Sequence, residues 1–160
     1  MDRGSKVSAI IATHNRAAYV TRAIDSALAQ TWPNVEVIVT DDGSSDNTAE
    51  VLAGYGDRIR VVSQPNQGLS AARNAAIKAS SGAFLALLDD DDEWLPERLA
   101  LQMPYMLDNP DTGLVGGGTV VIDAAGKPLP RRRPVRTGVE HVAFEAFIPA
   151  NRINCPTALI

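Results

Sequence analysis

At 160 residues and 45% apolar, the chain can bury one compact core, and its single cysteine, Cys155, excludes an internal disulfide framework and a cysteine-based zinc site. Fifteen basic residues against nineteen acidic leave a formal charge of −4, ordinary for a soluble enzyme and the wrong balance for a general nucleic-acid binder. No stretch approaches the roughly 20 apolar residues of a bilayer span, and the apolar run Val7–Ala12 is too short for the core of a signal peptide.

Short apolar runs then alternate with helical patterns, the reading of a βαβ protein. Val7–Ala12 is the first strand expected. From Ala17 to Gln30 the apolar positions Val20, Ala23, Ile24, Ala27 and Leu28 recur at helical spacing, and Trp32-Pro33-Asn34 ends that helix. Val35–Thr40 is rich in β-branched residues and predicts a second strand. A loop of cap-type residues over 41–47 leads into a short helix at Thr48–Ala53. Arg60–Ser63 is a third strand, and Leu69–Ala79 an alanine-rich helix stopped by Ser80-Ser81-Gly82. Ala83–Leu88, wholly apolar, suits the middle of a sheet. Pro96 fits the first turn of a helix running toward Asn109, with Pro104 kinking or dividing it. Leu114–Ile122 reads as a strand weakened by Gly116-Gly117-Gly118, with Asp123–Lys127 the turn of a hairpin over 114–130. Gly138–Phe147 is expected as a short helix, and Asn154–Ile160 as the start of another strand.

In an open α/β sheet, ligands sit beyond the carboxyl ends of the strands. The residues just after each predicted strand are Thr13-His14-Asn15-Arg16, Asp41-Asp42-Gly43, Asn66-Gln67-Gly68 and Asp89-Asp90-Asp91-Asp92. The polar groups thus fall where this fold places a ligand. Four adjacent carboxylates repel one another unless a cation or open solvent relieves them, and hard oxygen ligands suit Mg2+ or Mn2+. The alternative is a solvated acidic loop capping the next helix. Alternation predicts Asp89 and Asp91 on one side and Asp90 aimed elsewhere. Asp42 after the second strand could accept hydrogen bonds from a base or ribose, with Ser45 or Asp46 as helix cap. His14 reads either as a ligand contact or as a turn residue. Arg131-Arg132-Arg133 and Arg136 read as a pyrophosphate contact or a solvated loop. Trp32 and Trp94 read as packing residues, Trp94 being the nearer to the acidic run. Neither a dinucleotide-binding glycine fingerprint nor a Walker phosphate loop is present, and no nucleophile–histidine arrangement can be argued from such isolated residues.

Together, I-I-A-T-H-N-R at 10–16, V-T-D-D-G-S-S-D at 39–46, N-Q-G-L-S-A-A-R-N at 66–74 and S-G-A-F-L-A-L-L-D-D-D-D-E-W-L-P at 81–96 closely resemble the family-2 glycosyltransferases of the GT-A fold. The resemblance implies an α/β fold, a Rossmann-like, mostly parallel sheet with helices on both faces. It implies one nucleotide-sugar-binding domain over 1–160, with a core at 6–122 and an irregular acceptor-side segment at 123–160. Ala12, Thr13, His14 and Asn15 stand where the family has P-T-Y-N and would line the base. Asp42 would bond the base, normally uracil, with Asn66, Gly68 and Arg73 nearby. Asp89-Asp90-Asp91 would be the D-x-D element: Asp91 on Mn2+ or Mg2+, Asp89 on the metal or ribose, Asp90 near the ribose or donor sugar. The implied reaction is an inverting, metal-assisted transfer of a hexose from a nucleoside-diphosphate donor to a saccharide, lipid-linked or protein acceptor, as in cell-envelope polysaccharide synthesis.

The family's general base lies downstream of a strand like Cys155–Ile160, so it is expected beyond residue 160, on a chain truncated before its acceptor site is complete. Donor binding with little or no transfer by these residues alone is the expectation. Exposed Val142, Phe144, Phe147 and Ile148 would then favour a homodimer. A cytoplasmic site is expected, at the inner face of a membrane only through parts outside these residues. A nucleotidyltransferase and a non-catalytic nucleotide-binding module are the rival readings.

Overall fold

The computed structural model describes residues 4–123, 125–130 and 155–160. The expected helix over Gly138–Phe147, the arginines at 131–133 and 136, and the apolar group Val142, Phe144, Phe147 and Ile148 lie outside the described residues. Four strands, β1 (Val7–Thr13), β2 (Val35–Asp42), β3 (Arg60–Gln64) and β4 (Phe84–Asp89), form an all-parallel sheet in the order β3-β2-β1-β4. They are interleaved with α1 (Ala17–Leu28), α2 (Thr48–Ala53), α3 (Leu69–Ala79) and α4 (Arg98–Asp108).

Burial follows from the pleat. Every residue of β1 is buried, because helices cover both faces. Val7, Ala9 and Ile11 face one way, into a cluster with Val20, Ala23, Ile24 and Ala27 of α1 and Leu99, Met103 and Met106 of α4. Ile10 faces the other way, against Ile38 and Ala76 of α3. A fully buried side chain of this size contributes roughly 1.5–3 kcal/mol, so the alternation also fixes the register. A one-residue slip would carry the apolar set to the wrong layer.

The strand order contains the feature that places a ligand. The chain steps outward from β1 to β2 to β3, then α3 carries it back so that β4 pairs with the free side of β1. Beyond the carboxyl ends of β1 and β4 the flanking loops diverge, the crevice where open α/β sheets take ligands. At the opposite edge the sheet is closed by Glu36. Its carboxylate accepts hydrogen bonds from the Ser8 hydroxyl (2.6 Å) and from the backbone N–H of Ser81 (2.7 Å) and Gly82 (3.0 Å), with Lys6 Nζ at 3.8 Å.

The structure departs from expectation in the second half. Helix α4 starts at Arg98, two residues past Pro96, and runs through Pro104 without dividing. Gln30, just past the end of α1, caps it, its Oε1 accepting from the Leu99 N–H at 3.0 Å. Leu114–Ile122 is no continuous strand: only single bridges form, at Val115 and at Ile122. Three consecutive glycines cost more backbone entropy than a strand edge there returns. The hairpin survives as its turn, with Gly126 at φ 80° and the Asp123 N–H donating to the Lys127 carbonyl at 3.0 Å. Asn154–Ile160 likewise opens with a 3-10 turn, Cys155–Thr157. Only then does Leu159 bridge β4 at Ala86 and Val115 on its other side, antiparallel to both. Side chains hold this segment by its carbonyls: Trp94 donates to Pro156, Gln102 to Thr157 and Arg98 to Ala158. Among the described residues no helix is long and apolar enough to cross a membrane.

Candidate functional site

The site is assembled from four strand ends. β1 delivers Thr13, and the loop behind it turns at Asn15, whose φ of 53° is left-handed, a conformation asparagine tolerates better than most residues. That turn aims the Asn15 side chain at the neighbouring loop. Its Oδ1 accepts from the backbone N–H of Ser45 (2.7 Å) and Asp46 (3.3 Å), and its own N–H donates to the Ser44 hydroxyl (2.9 Å). Asp46 returns the contact, accepting from the N–H of Ala17 at the start of α1 and from Thr48 at the start of α2. One carboxylate thus serves two helix N-termini. The β1–α1 and β2–α2 loops are one rigid body as a result.

The third loop is tied on by Asp42. Its Oδ1 accepts from the Gln64 amide (2.7 Å) and the Gln67 N–H (2.9 Å), its Oδ2 from the Gly68 N–H (2.8 Å). Burial by itself would raise this carboxyl, but those donors hold it below the usual aspartate range. Gly43 lets the loops meet. It sits at φ 73°, and a Cβ there would stand 2.7 Å from the Asn66 nitrogen. Gly68, at φ 86°, serves instead as the conformational entry to α3.

His14 locks the three loops together. Its Nδ1 lies 2.9 Å from the Asp42 carbonyl, and its Nε2 lies 3.1 Å from the amide nitrogens of both Asn15 and Asn66. A carbonyl can only accept, so Nδ1 carries the proton. Nε2 sits between the side-chain amides of Asn15 and Asn66.

The fourth strand brings the acidic run. β4 ends at Asp89, and Asp89–Asp92 is a tight turn closed by the Asp92 N–H donating to the Asp89 carbonyl at 3.1 Å. Strand alternation stops at Asp89, yet Asp90 still differs from its neighbours: it is buried and bonded to Thr13, whereas Asp89 and Asp91 are more exposed and pair with arginines, all three lining the same cleft. Each carboxylate has its own partner. Arg73 of α3 is paired with Asp89, the Thr13 hydroxyl donates to Asp90 at 2.7 Å, and Arg16 Nη1 lies 2.5 Å from Asp91 and 3.7 Å from Asp90. Asp90 is the buried member. Burial pushes its carboxyl up, against the Thr13 hydrogen bond and the Arg16 charge that favour ionisation. Asp92 is likewise raised, by burial first and then by its three acidic neighbours. Cys155 lies close enough for its thiol to feel Arg73, Asp89 and Asp92, though burial is what raises it most.

These groups enclose a cleft of about 450 Å³ lined by Ala12, Thr13, His14, Arg16, Asp42, Asn66, Gly68, Leu69, Ala72, Asp89, Asp90 and Asp91, within the range of small-molecule sites. Its lining mixes apolar Ala12, Leu69 and Ala72 with charged Arg16, Asp42 and Asp89–Asp91. A second groove of about 220 Å³, beside Trp32 and Pro33, has no charged side chain in its lining.

Known proteins resemble this chain in sequence and fold. The family model for glycosyl transferase family 2 matches residues 8–156. The chain belongs to glycosyl transferase family 2. It is 38% identical over 152 residues to an uncharacterized glycosyltransferase of Rickettsia felis, covering 92% of this chain and 23% of that one. Among solved structures, S. aureus TarS 1–349 in complex with UDP-GlcNAc superposes with a TM-score of 0.59 at 28% identity, over 66% of this chain and 32% of that one. The mannosyltransferase PcManGT of Pyrobaculum calidifontis, in complex with GDP-Man and Mn2+, gives 0.62 at 24% identity over 74% and 36%. The fold is GT-A, and the chain spans about a quarter of the length of the Rickettsia relative.

Of the residues expected to serve a family-2 donor site, Ala12, Thr13, His14, Asp42, Asn66, Gly68, Asp89, Asp90 and Asp91 line the cleft. Asn15 ties the loops behind it, and Arg73 reaches it through Asp89. Trp32 and Trp94 are core residues, their indole N–H groups spent on the Ser5 and Pro156 carbonyls. Arg16, the last of the polar residues after the first strand, lines the cleft as the strand-end rule expects, and Leu69 and Ala72 join it from the start of α3. Their helical spacing puts those two on one face of the helix. Among the described residues no three His, Cys, Asp or Glu side chains form a cage for a metal ion. The donor set still fits Mg2+ or Mn2+, which take one or two carboxylates and complete their shell with water and phosphate oxygens. Asp89 and Asp91 offer such oxygens at the rim, with 32% and 49% of their side chains exposed.

Proposed function

We propose that the cleft binds a nucleoside-diphosphate sugar, preferentially a UDP-sugar, as donor for a metal-assisted, inverting transfer to an acceptor hydroxyl. The observation that carries this reading is the meeting of His14, Asp42 and Asp89–Asp91 around one cleft at the β1–β4 crevice. The UDP and UDP-GlcNAc complexes of TarS support the uridine preference.

The division of labour follows from the chemistry of the lining. The base belongs at the His14, Asp42 and Asn66 end, where a planar ring and hydrogen-bonding groups with fixed directions adjoin apolar Ala12 and Ala72. The diphosphate belongs at the Asp89–Asp91 end, where Arg16 and Arg73 supply positive charge. Asp89 and Asp91 would hold a divalent cation there, which would supply Lewis-acid stabilisation of the leaving diphosphate. Asp90, kept from solvent and held by Thr13, is placed to accept from a ribose or sugar hydroxyl. The acceptor hydroxyl is saccharide, lipid-linked or protein-borne, and its proton must pass to a general base. Asp123 is not among the residues that line the cleft, and its Oδ1 accepts the backbone N–H groups of Ala125 and Lys127 within its own turn.

Thermal shift with Mn2+ and a panel of UDP, GDP, dTDP and ADP tests the reading. UDP at 100 times its Kd should stabilise the chain by about 2.7 kcal/mol and give the largest shift of the four. A flat response to every nucleotide, against a cooperatively melting protein, would remove the donor-site reading.

A further inference from the structure

We propose that Arg16 is a resident counter-ion of the acidic turn: it occupies Asp91 until a divalent cation takes that carboxylate, and it then turns to the donor's diphosphate. The inference rests on the donor-site reading above and adds to it a coupling between cation and donor.

Three observations carry it. The first is charge. Asp89–Asp92 concentrates four carboxylates in one turn, and a diphosphate would add further negative charge to the same cleft. Arg16 lies within 4 Å of two of those carboxylates, at 2.5 Å from Asp91 and 3.7 Å from Asp90, and the Asp91 hydrogen bond raises the affinity of its guanidinium for the proton. A cation arriving at Asp91 must therefore displace a cation already there.

The second is replaceability. The Arg16 and Asp91 side chains are 45% and 49% exposed and meet through Nη1 alone, the geometry of an ion pair that contributes little net stability. Arg73 differs. Its pair with Asp89 has side-chain exposures of 23% and 32%, and it projects from the body of α3 rather than from a loop. Of the two arginines at the turn, Arg16 is the one built to leave.

The third is that its departure disturbs nothing else. The Arg16 backbone is pinned, its carbonyl accepting from the N–H groups of Tyr19 and Val20 in the first turn of α1. Its neighbours Asn15 and Ala17 are held by Ser44 and Asp46. Only the side chain needs to swing. Both contacts to the turn use Nη1, which leaves the Nε–Nη2 edge of the guanidinium fork for another partner once the side chain swings. That edge matches two phosphate oxygens, which a lysine ammonium could meet only as a point charge.

The consequence is reciprocal linkage. Cation alone competes with Arg16 and binds weakly. Cation with diphosphate gives the displaced guanidinium a new partner, so each ligand raises the affinity of the other by the same factor.

The test uses the 160-residue chain, with Mn2+ alone followed by water-proton relaxation and UDP titrated at saturating Mn2+. Arg16→Gln should bind Mn2+ alone about two- to fivefold more tightly, the range expected on losing an exposed ion pair. It should bind UDP about tenfold more weakly, as on losing one charge-assisted hydrogen bond. Arg16→Lys should fall between on UDP, keeping charge without the fork. Opposite signs from one substitution are what a merely structural arginine would not give. Unchanged or weaker Mn2+ binding in Arg16→Gln would overturn the counter-ion role, and unchanged UDP binding would overturn the turn toward phosphate. Asp91→Asn separates the two levels. If wild type binds Mn2+ and UDP, Asp91→Asn abolishes this and Arg16→Gln alters neither affinity, only the counter-ion proposal falls. If wild type binds no UDP with Mn2+, the donor-site reading falls and the proposal with it.

Discussion

Both edges of the sheet carry carboxylates, and they are satisfied in different ways. At the amino edge, Glu36 is held by the Ser8 hydroxyl and by the backbone N–H groups of Ser81 and Gly82, donors that cannot leave without the fold coming apart. At the carboxyl edge, Asp89 and Asp91 are held by arginine side chains that water and ligands can reach. Backbone donors fix a carboxylate as architecture; mobile side-chain cations keep it available. Asp42 stands at the functional edge yet is held in the architectural manner, by Gln67 and Gly68 N–H groups. It faces the cleft as part of its frame.

Substitutions should separate the two kinds, and the largest effect belongs to the frame. Asp42→Ala orphans two backbone N–H groups and the Gln64 amide. It should cost about 3 kcal/mol in a urea unfolding experiment and abolish nucleotide binding as the β3–α3 loop loosens. Gly82→Ala comes next, at about 1–3 kcal/mol by the same measurement. A Cβ there would stand 2.5 Å from the Ser8 Oγ, which donates to Glu36, and 2.8 Å from the Ser8 backbone nitrogen. Nucleotide affinity should be spared in whatever fraction folds, since the clamp lies at the far edge.

Acid should act on the same clamp. Burial works against the charged Glu36, but the Ser8 and Ser81 hydrogen bonds and Lys6 more than compensate, so its carboxyl lies below the usual glutamate value. The folded state thus binds its proton less readily than the unfolded chain. The clamp's contribution is complete above the ordinary glutamate value of about 4.3 and is lost as pH falls through the lower, folded value. Glu36→Gln should remove that part of the slope in urea midpoints between pH 3 and 6, with a loss of about 1 kcal/mol at neutral pH. Unchanged slopes would show that Glu36 is not clamped as described. The smallest stability effect belongs to the carboxyl edge. Asp91→Asn should shift stability by less than about 0.5 kcal/mol while removing metal-dependent nucleotide binding.

The contrast also explains what could be read from the chain alone. Strands and helices up to α3 follow from local pattern: α1 buries the stripe Val20, Ala23, Ile24 and Ala27, and β1, an apolar run, is buried on both faces. The region from Leu114 onward resists such reading. Whether Val115 or Leu159 pairs with anything depends on a partner more than 40 positions away, and the glycines at 116–118 offer no local preference to decide it. At the site, the strand-end rule brings the candidate side chains to one crevice from composition and order. β4 runs one residue past its expected end, to Asp89, where the chain turns and Asp90 meets Thr13. The same rule brings Arg16 to the crevice, but its pairing with Asp91 is not legible, since 75 positions separate them and only folding brings the charges within 2.5 Å. Frame residues such as Asn15 and Asp42 resemble ligand contacts in sequence, since a polar residue after a strand serves either purpose.

The most direct test of the account is isothermal titration of UDP into the chain, with and without Mn2+, for wild type and Asp91→Asn. The account predicts binding that requires Mn2+ in wild type and is lost in Asp91→Asn, with the melting temperature of the variant unchanged. UDP binding that ignores both the metal and Asp91, or no binding of UDP under any metal condition, would contradict it.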